Sequence, residues 1–350
     1  MISSEIQEEQ VISGTDASLD EAAKKGIAEL SPAFVLVTAG PCASMIGTDL
    51  EGAAERIQSS YQIPAAALKL DGMKDYTYGM SLTLEAMGKL LLSPAKKIRG
   101  SVNILGANSL DMEPSDYAAI KEWLEAKGYQ VVSTWGMQAK ATELAKAAAA
   151  EVNLVVNACG MRLARYMEEE FGIPYIVGAP YGRSEQERIL TCLKEKKTSG
   201  TFPEEGSVTC DTNEADNGKV VSGKRCLIVA EQFKAEALRQ TLLAAGATEA
   251  AVFSFSEMDK SSKQAMDAKL IGEDDLKNRI DAFAPDLVFA DPLYQAFAGE
   301  SDQGKWIALS NPATFSKGTS QAPEQWFGPK LDQWLANLNG PGAANADGYR

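Results

Sequence analysis

The sequence contains no histidine in 350 residues, and this absence removes several common mechanisms. Without histidine there is no Ser–His–Asp or Cys–His pair and no histidine general base. Catalytic zinc of the usual histidine-bearing kinds is disfavoured for the same reason. Acid–base chemistry is left to carboxylates, Lys, Tyr, Cys or bound water, and metal ligation to thiolates and carboxylates. Redox chemistry carried by a bound cofactor therefore becomes relatively more attractive.

Cysteine pairs and positive charge are also scarce. The five cysteines, at positions 42, 159, 192, 210 and 226, form no C-x-x-C pair, and an odd number gives no closed disulfide framework. The net charge of −14 disfavours nucleic acid and anionic membrane surfaces as partners. No apolar run approaches the roughly 20 residues of a membrane-spanning helix, and residues 1–30 are too polar for a secretory signal. We therefore expect a reduced, cytoplasmic protein.

Short apolar runs alternate with helical patterns along most of the chain. Residues 33–39 (AFVLVTA) are typical of a strand buried on both faces, and helices are predicted from Ser44 onward, over 81–92 and over 139–150. Further strands are predicted over 65–70, 102–106, 129–134, 152–157, 174–178, 225–230, 250–255, 286–290 and 306–309. Strands that alternate with helices of this kind predict βαβ units with parallel sheets. The predicted fold class is α/β, with several Rossmann-like parallel-sheet units and flanking helices.

Changes in composition divide the chain into segments. The predicted organisation is a first α/β unit over residues 1–98, a middle unit over 99–197, a linker or excursion over 198–222, a third unit with a C-terminal helix over 223–338, and a flexible tail over 339–350. The sequence has no G-x-G-x-x-G or P-loop motif, so a self-contained dinucleotide or ATP site lacks support.

Candidate site residues follow predicted strands, because ligands of open parallel sheets bind beyond the carboxyl ends of the strands. The loops in this position are 40–42, 106–111, 157–160 and 291–294. Arg162 and Arg183 flank the expected cleft, either as contacts of an anionic substrate or as ordinary surface residues.

Three stretches together carry a family resemblance: PCASMIGTDL at 41–50, SVNILGAN at 101–108 and NLVVNACGMRLARYMEEEFGIPYIVGAPYG at 153–182. In this order they resemble the nitrogenase component 1 type oxidoreductases, which include the catalytic component of nitrogenase, its cofactor-maturation scaffold proteins and protochlorophyllide reductase-like proteins. The resemblance covers roughly residues 33–300 and implies a component 1-like fold.

The resemblance implies that Cys42 is a metal ligand, because the matching cysteine of the family ligates an electron-relay iron–sulfur cluster at a subunit interface. Gly40 and Gly47 would belong to the same cofactor-binding loop, and Cys159 is a further candidate at a strand end. A thiolate at a helix start is stabilised by the helix dipole, and iron–sulfur clusters select thiolates. The alternative for Cys42 is a small buried hydrophobic residue.

The sequence departs from the family in ways that limit these expectations. Residues 1–41 contain none of the two further relay-cluster cysteines of the family's large subunits. A cluster, of the four-iron type, would therefore lie at a subunit interface, use oxygen ligands such as Ser44 or Asp49, or be absent. Val156 occupies the place expected for the nitrogenase cofactor cysteine, and the cofactor histidine is missing. We expect no molybdenum cofactor of the nitrogenase type.

The leading functional hypothesis is a nitrogenase-like reductase component. The resemblance implies that it takes electrons from a separate ATP-dependent iron protein through a cluster at Cys42 and reduces an unsaturated, tetrapyrrole-like small molecule, not dinitrogen. Asp111, Tyr181 and Cys159 are the candidate proton donors. A non-catalytic cofactor scaffold and a metal-free small-molecule-binding protein of the same fold remain open alternatives.

A single thiolate per chain also predicts an oligomer. The partner would be a second copy or a homologous subunit, with Cys42 near the interface. Ala43, Met45 and Ile46, together with Ala53 and Ala54 of the next helix, are candidates for the apolar contact, and packing against their own sheet is the alternative.

Overall fold

In a computed structural model of the chain, the described residues are 1–5, 8–195, 202, 220–298, 305–309, 311, 313 and 325–338. They form three parallel sheets flanked by helices, which confirms the predicted α/β class. The predicted linker 198–222 lies largely outside the described residues, and the predicted tail 339–350 and Cys210 lie wholly outside them. No helix in the described ranges has the length and apolarity needed to cross a membrane.

The first α/β unit contains a sheet of two parallel strands. Its elements are α1 (Glu8–Ser13), α2 (Asp16–Leu30), β1 (Val35–Thr38), α3 (Pro41–Met45), α4 (Leu50–Tyr61), β2 (Ala65–Leu68) and α5 (Tyr76–Leu91). Strand β1 pairs with β2, and α4 packs Ala53, Ala54 and Ile57 beneath them. Ala53 and Ala54 are therefore part of their own unit's core, so the interface prediction is wrong for these two residues.

The helix predicted from Ser44 is in fact two helices. Helix α3 ends at Met45, and Gly47 adopts a left-handed φ of +72°, which a residue with a Cβ rarely accepts. The Asp49 carboxylate then accepts a hydrogen bond from the Gly52 N–H at 2.9 Å and starts α4 as its N-cap. Gly47 is thus required by the turn between the two helices.

The middle unit contains a sheet with the strand order β4-β3-β5-β6. Its elements are β3 (Ser101–Ala107), α6 (Pro114–Ala126), β4 (Gln130–Gly136), α7 (Ala141–Leu144), β5 (Val152–Val155), α8 (Met161–Phe171), β6 (Tyr175–Val177) and α9 (Arg183–Glu195). The helix predicted over 139–150 is reduced to α7 and a 3₁₀ turn at Ala147–Ala149. The strand order reverses between β3 and β5, which creates a crevice at their carboxyl ends.

The third unit contains a sheet with the strand order β11-β10-β7-β8-β9. Its elements are β7 (Arg225–Val229), α10 (Gln232–Ala244), β8 (Glu249–Ser254), β9 (Ala268–Lys269), α11 (Glu273–Phe283), β10 (Leu287–Ala290), α12 (Pro292–Ala298), β11 (Lys305–Ala308) and α13 (Pro329–Asn337). Its order reverses between β7 and β10. The loop predicted at 291–294 mostly belongs to α12, and the Asp291 carboxylate accepts the Leu293 N–H at 3.0 Å.

Apolar contacts join the three sheets into one body. One cluster of buried side chains runs from Ile104 in the middle sheet to Phe289 in the third. A second cluster includes Leu84 of α5 and Leu163 of α8, so α5 packs on the middle unit. Because α5 follows the first sheet in the chain, this packing brings its N-terminus to the strand ends of the other two sheets.

Candidate functional site

Six polar or thiol side chains meet where the three units join. We call them the polar cluster: Tyr76 at the start of α5, Asn108, Asp111, Asn157 and Cys159 beyond β3 and β5, and Glu231 beyond β7. The sequence places the middle-unit members at the crevice between β3 and β5, because parallel strands end at the same edge of their sheet. All six positions lie at a helix start or a strand end.

Asp111 is the centre of the polar cluster. Its Oδ1 accepts the Tyr76 hydroxyl at 2.6 Å, and its Oδ2 accepts the amide Nδ2 of Asn157 at 2.8 Å. The Asn108 Nδ2 also donates to Oδ2, at 2.9 Å. Asp111 is buried, so these three donors compensate the loss of water around its carboxylate.

Glu231 ties the third unit to the middle one. Its Oε2 accepts the Phe233 and Lys234 N–H groups, each at 2.9 Å, as the N-cap of α10. Its Oε1 accepts the N–H of Ala158 at 2.9 Å, across the boundary between the units. Burial, and then the negative charge of Asp111, raise the pKa of Glu231 to about 7, against the lowering effect of these N–H donors.

Tyr76 remains a neutral hydroxyl donor. Burial raises the pKa of its phenol well above the ordinary value, and the adjacent Asp111 charge raises it further. The polar cluster therefore contains a neutral Tyr hydroxyl, the Asp111 carboxyl and a Glu231 carboxyl whose pKa is raised toward neutral pH. Within this set, Glu231 is the group whose pKa allows it to release a proton near neutral pH.

Cys159 is enclosed in a 3₁₀ turn at Ala158–Gly160. Burial raises the pKa of its thiol well above the ordinary value, and the charges of Asp111 and Glu231 add to the effect. Its Sγ lies 3.6 Å from the Gly106 carbonyl oxygen. Gly106 has a φ of +84°, and a Cβ there would lie 2.9 Å from the Asn157 carbonyl oxygen. The surroundings favour a packed thiol over a thiolate ligand.

A cleft of about 630 Å³ lies beside the polar cluster. Its walls come from α5, from α8 and from the segment 257–260 of the third unit. Thr77 and Ala158 belong to the wall, and they are the chain neighbours of Tyr76 and of Asn157 and Cys159, respectively. The cleft wall and the polar cluster are therefore adjacent along the chain at these two positions.

Charged contacts hold the cleft walls together. Asp75 is the N-cap of α5, and its Oδ1 accepts the N–H groups of Tyr78 at 3.2 Å and of Glu257 at 3.1 Å. Lys269 Nζ donates to Asp75 Oδ2 at 3.1 Å. Arg165 of α8 is paired with Asp259 of the third unit. Residues 257–260 are thus fastened to both helices that face them.

Cys42 lies on the protein surface, on α3, and is not among the residues that line the cleft. The interpretation of Cys42 as a buried hydrophobic residue is therefore wrong. Met45 is 87% exposed and Met73 is 78% exposed. Residue 72, next to Met73, packs against Pro41, so both methionines lie near Cys42. We call Cys42, Met45, Ile46 and Met73 the α3 surface.

The described residues of one chain do not by themselves provide a ligand set for a four-iron cluster. The described residues contain no group of three or more Cys, Asp or Glu side chains placed to hold a metal ion. The two oxygen donors considered near Cys42 are engaged, because Asp49 caps α4 and Ser44 Oγ donates to the Leu70 carbonyl at 3.1 Å. The thiol of Cys42 is free and exposed, so it is accessible to a partner chain.

The remaining predicted residues have other surroundings. Tyr181 is buried, packs edge-on against Trp326, and lines neither the cleft nor a smaller cavity of about 160 Å³ beside Tyr76. Gly40 precedes α3 in extended conformation. Arg162 lines the cleft, whereas Arg183 does not.

Sequence reasoning missed Tyr76 and Glu231. Glu231 lies directly beyond a predicted strand, so the rule that selected Asp111 could have found it. Tyr76 gave no such signal, because the helix was predicted to begin at Ser81.

Comparisons with known proteins agree with this architecture. The sequence model of the family described as nitrogenase component 1 type oxidoreductase matches residues 1–313. The nitrogenase iron-molybdenum cofactor biosynthesis protein NifE of Clostridium pasteurianum is 26% identical over 67% of this chain and 54% of its own length. A subunit of the light-independent protochlorophyllide reductase of Chloroflexus aggregans is 26% identical over 53% of this chain and 35% of its own.

The chain therefore spans about half, or less, of the length of these curated relatives. A solved structure described as nitrogenase Cp1 at pH 6.5 superposes with a TM-score of 0.69 at 15% identity, and the match covers 95% of this chain and 80% of that one. At this identity the superposition shows a shared fold.

Proposed function

The chain belongs to the nitrogenase component 1 type oxidoreductase family, and on that premise we propose that it is a subunit of a nitrogenase-like reductase. It binds a small unsaturated molecule, such as a tetrapyrrole-like compound and not dinitrogen, in the cleft between α5, α8 and residues 257–260. Electrons come from a separate ATP-dependent iron protein. The free thiols of Cys42, Cys159, Cys192 and Cys226 support a cytoplasmic location.

The polar cluster, whose members Tyr76, Asn157 and Cys159 are chain neighbours of cleft-wall residues, is the observation that carries this proposal. A reduction that adds hydrogen needs protons delivered beside the substrate as well as electrons. Glu231, with a pKa of about 7, can give up a proton at neutral pH. Asp111 accepts the Tyr76 hydroxyl, and this bond fixes Tyr76 at the start of α5, next to Thr77 of the cleft wall. Tyr181 has no place in this arrangement.

Cys42 is proposed as one ligand of a four-iron cluster shared with a second copy or a homologous subunit. When bound, such a cluster supplies single electrons. The α3 surface supports this role, because exposed methionines around a thiol are suited to an apolar contact with a partner chain. Gly47 contributes the turn that ends α3, and Gly40 precedes its first residue.

The experiment is anaerobic purification and reconstitution, followed by iron analysis and electron paramagnetic resonance spectroscopy. A cognate ATP-dependent iron protein is then added with ATP and a panel of unsaturated small molecules. We expect about two irons per chain if a four-iron cluster is shared between two copies, and ATP-dependent substrate reduction. Iron-free protein after reconstitution, both alone and with homologous subunits, would contradict the cluster assignment.

A cofactor scaffold is the second candidate, and its support is the similarity to NifE over 67% of this chain. A scaffold would bind a cluster or cofactor without turnover. ATP-dependent substrate reduction with the iron protein therefore separates the two functions. Small-molecule binding by a protein that shows no absorbance near 400 nm would favour the metal-free alternative.

A further inference from the structure

The inner end of the cleft, where α5 begins, has an unpaired hydroxyl. Thr77 is only 1% exposed and belongs to the cleft wall. Its Oγ1 has no hydrogen-bond partner in the described part of the chain. A buried hydroxyl without a partner costs free energy, and native proteins keep few of them. A ligand that accepts a hydrogen bond here would remove this cost.

Arg162 provides positive charge at the same end. Its guanidinium lies over the ring of Tyr78, 5.4 Å from the centroid, and Tyr78 is the next residue after Thr77. Among the described residues its ion pair is with Glu85, at 3.9 Å, which is too long for a good hydrogen bond. Glu85 is itself paired with Lys89 at 2.6 Å. The forked donors of Arg162 therefore remain open to the cleft.

Arg165, one turn further along α8, is a useful contrast. Its guanidinium is engaged by Asp259 and also donates to Ser261 Oγ. This ion pair fastens the segment 257–260 to α8 and leaves fewer free N–H donors of Arg165 for a ligand. Arg162 lines the cleft and has no comparable partner in the described part of the chain, and its side chain is 45% exposed.

The start of α5 adds further donors. This helix has 16 residues, and within its first turn the Asp75 side chain accepts the N–H of Tyr78, the third residue. The first N–H groups of a helix have no acceptor within the helix, and the helix dipole makes this end positive. Arg162 and Thr77 line the same cleft, and Arg162 stacks on Tyr78, the residue after Thr77, so this end of the cleft is suited to an anionic group.

We propose that the inner end of the cleft is a subsite for a carboxylate group of the ligand, anchored by Arg162 and Thr77. A carboxylate matches the planar guanidinium fork. A doubly charged phosphate fits less well, because five acidic side chains (Glu85, Glu169, Glu170, Glu257 and Asp259) and four basic ones (Lys89, Arg162, Arg165 and Lys260) line the cleft. The subsite rests on the proposed function only in treating the cleft as a ligand site.

Titration calorimetry of the full chain with succinate, and separately with inorganic phosphate, tests the subsite without iron or a partner protein. We expect succinate to bind more tightly than phosphate. Thr77→Val and Arg162→Gln should each weaken succinate binding by roughly tenfold. Thr77→Val should leave the urea midpoint unchanged or raise it, because the hydroxyl it removes is unpaired.

The matched control is Thr83→Val on the same helix. Its hydroxyl donates to the Gly79 carbonyl at 2.8 Å, and it does not line the cleft. This variant should keep succinate affinity. No succinate binding by the parent protein, or equal affinity in all three variants, would overturn the subsite, and tighter phosphate binding would overturn its carboxylate specificity. None of these results depends on electron transfer, so the reductase proposal is tested separately.

Discussion

The hydroxyl of Tyr76 donates to the carboxylate of Asp111 at 2.6 Å and joins the start of α5 to the strand ends of the middle sheet. Glu231 makes a second junction by accepting the N–H of Ala158 at 2.9 Å. Three parts of the chain therefore meet in one buried polar cluster, and changes to its members should affect stability as well as activity.

Tyr76→Phe removes the hydroxyl and leaves Asp111 with one donor fewer. We expect a loss of about 1–3 kcal/mol in the free energy of unfolding, because the hydrogen bond is to a buried carboxylate. Urea denaturation measures the change. Tyr166→Phe is the control, since Tyr166 packs at the ring edge of Phe171 on the cleft wall outside the polar cluster. A Tyr76 variant as stable as the control would contradict the role of this bond.

Glu231 should make the protein less stable as pH rises. Its folded pKa of about 7 lies above the ordinary 4.5, so between these values the folded state binds more protons than the unfolded state. The contribution is full below pH 4.5 and is lost as pH rises through 7. Glu231→Gln should flatten this part of the stability curve.

The same variant should lower stability overall, because an amide nitrogen of Gln cannot accept the N–H bonds that both carboxylate oxygens of Glu231 accept. Thermal unfolding of both proteins across pH 4.5–8 measures the two effects. Glu236 also has a pKa of about 7. Its pH-dependent contribution to stability is the same in both proteins, so it cancels when the two pH profiles are compared. Identical pH profiles would show that Glu231 does not titrate in this range.

Cys42→Ala should abolish iron incorporation after anaerobic reconstitution while leaving the urea midpoint almost unchanged, because the side chain is exposed. Cys226→Ala is the matched control. Cys226 is buried in β7, so its loss should cost about 1 kcal/mol through the cavity left behind. Iron content should stay at the parent level in that protein. Iron retained in the Cys42 variant would show that Cys42 is not a required ligand.

Met45→Glu should shift the protein toward monomers. The change puts a charge into the α3 surface, and like charges facing each other across a twofold interface oppose association. Light scattering should give about 75 kDa for a parent homodimer, twice the 37.4 kDa of one chain. Ile271→Glu is the control, because Ile271 is 90% exposed on the third unit. A monomeric parent that holds a complete four-iron cluster would refute the shared-cluster proposal.

The protein should not reduce dinitrogen. Val156 occupies the place expected for the nitrogenase cofactor cysteine, and the sequence has no histidine to complete that ligand set. We expect no stoichiometric molybdenum by mass spectrometry of purified protein. Ammonia formed from ¹⁵N-labelled dinitrogen in the presence of a cognate iron protein would disprove this prediction.

Local patterns were enough to predict the α/β class and most strands. Apolar runs such as 33–39 and 225–230 become β1 and β7 because a parallel strand buried on both faces must be apolar throughout. The rule that ligands lie beyond strand ends selected Asp111 from the sequence alone. Errors arose at the ends of elements, where single capping or turn residues decide. Asp75 caps α5, which begins at Tyr76, five residues before the predicted Ser81, and Gly47 divides a predicted helix in two.

The sequence by itself excluded histidine-based chemistry. It also determined the parallel sheets, the family resemblance and the single cysteine near α3. Only the tertiary structure decided that Tyr76 and Glu231 share one polar cluster with Asp111, although 35 and 120 residues respectively separate them from it. It also decided that Cys42 is exposed and that Tyr181 packs against Trp326. The physical reason is that strand periodicity is local, whereas burial, pKa and side-chain partners depend on which units pack together.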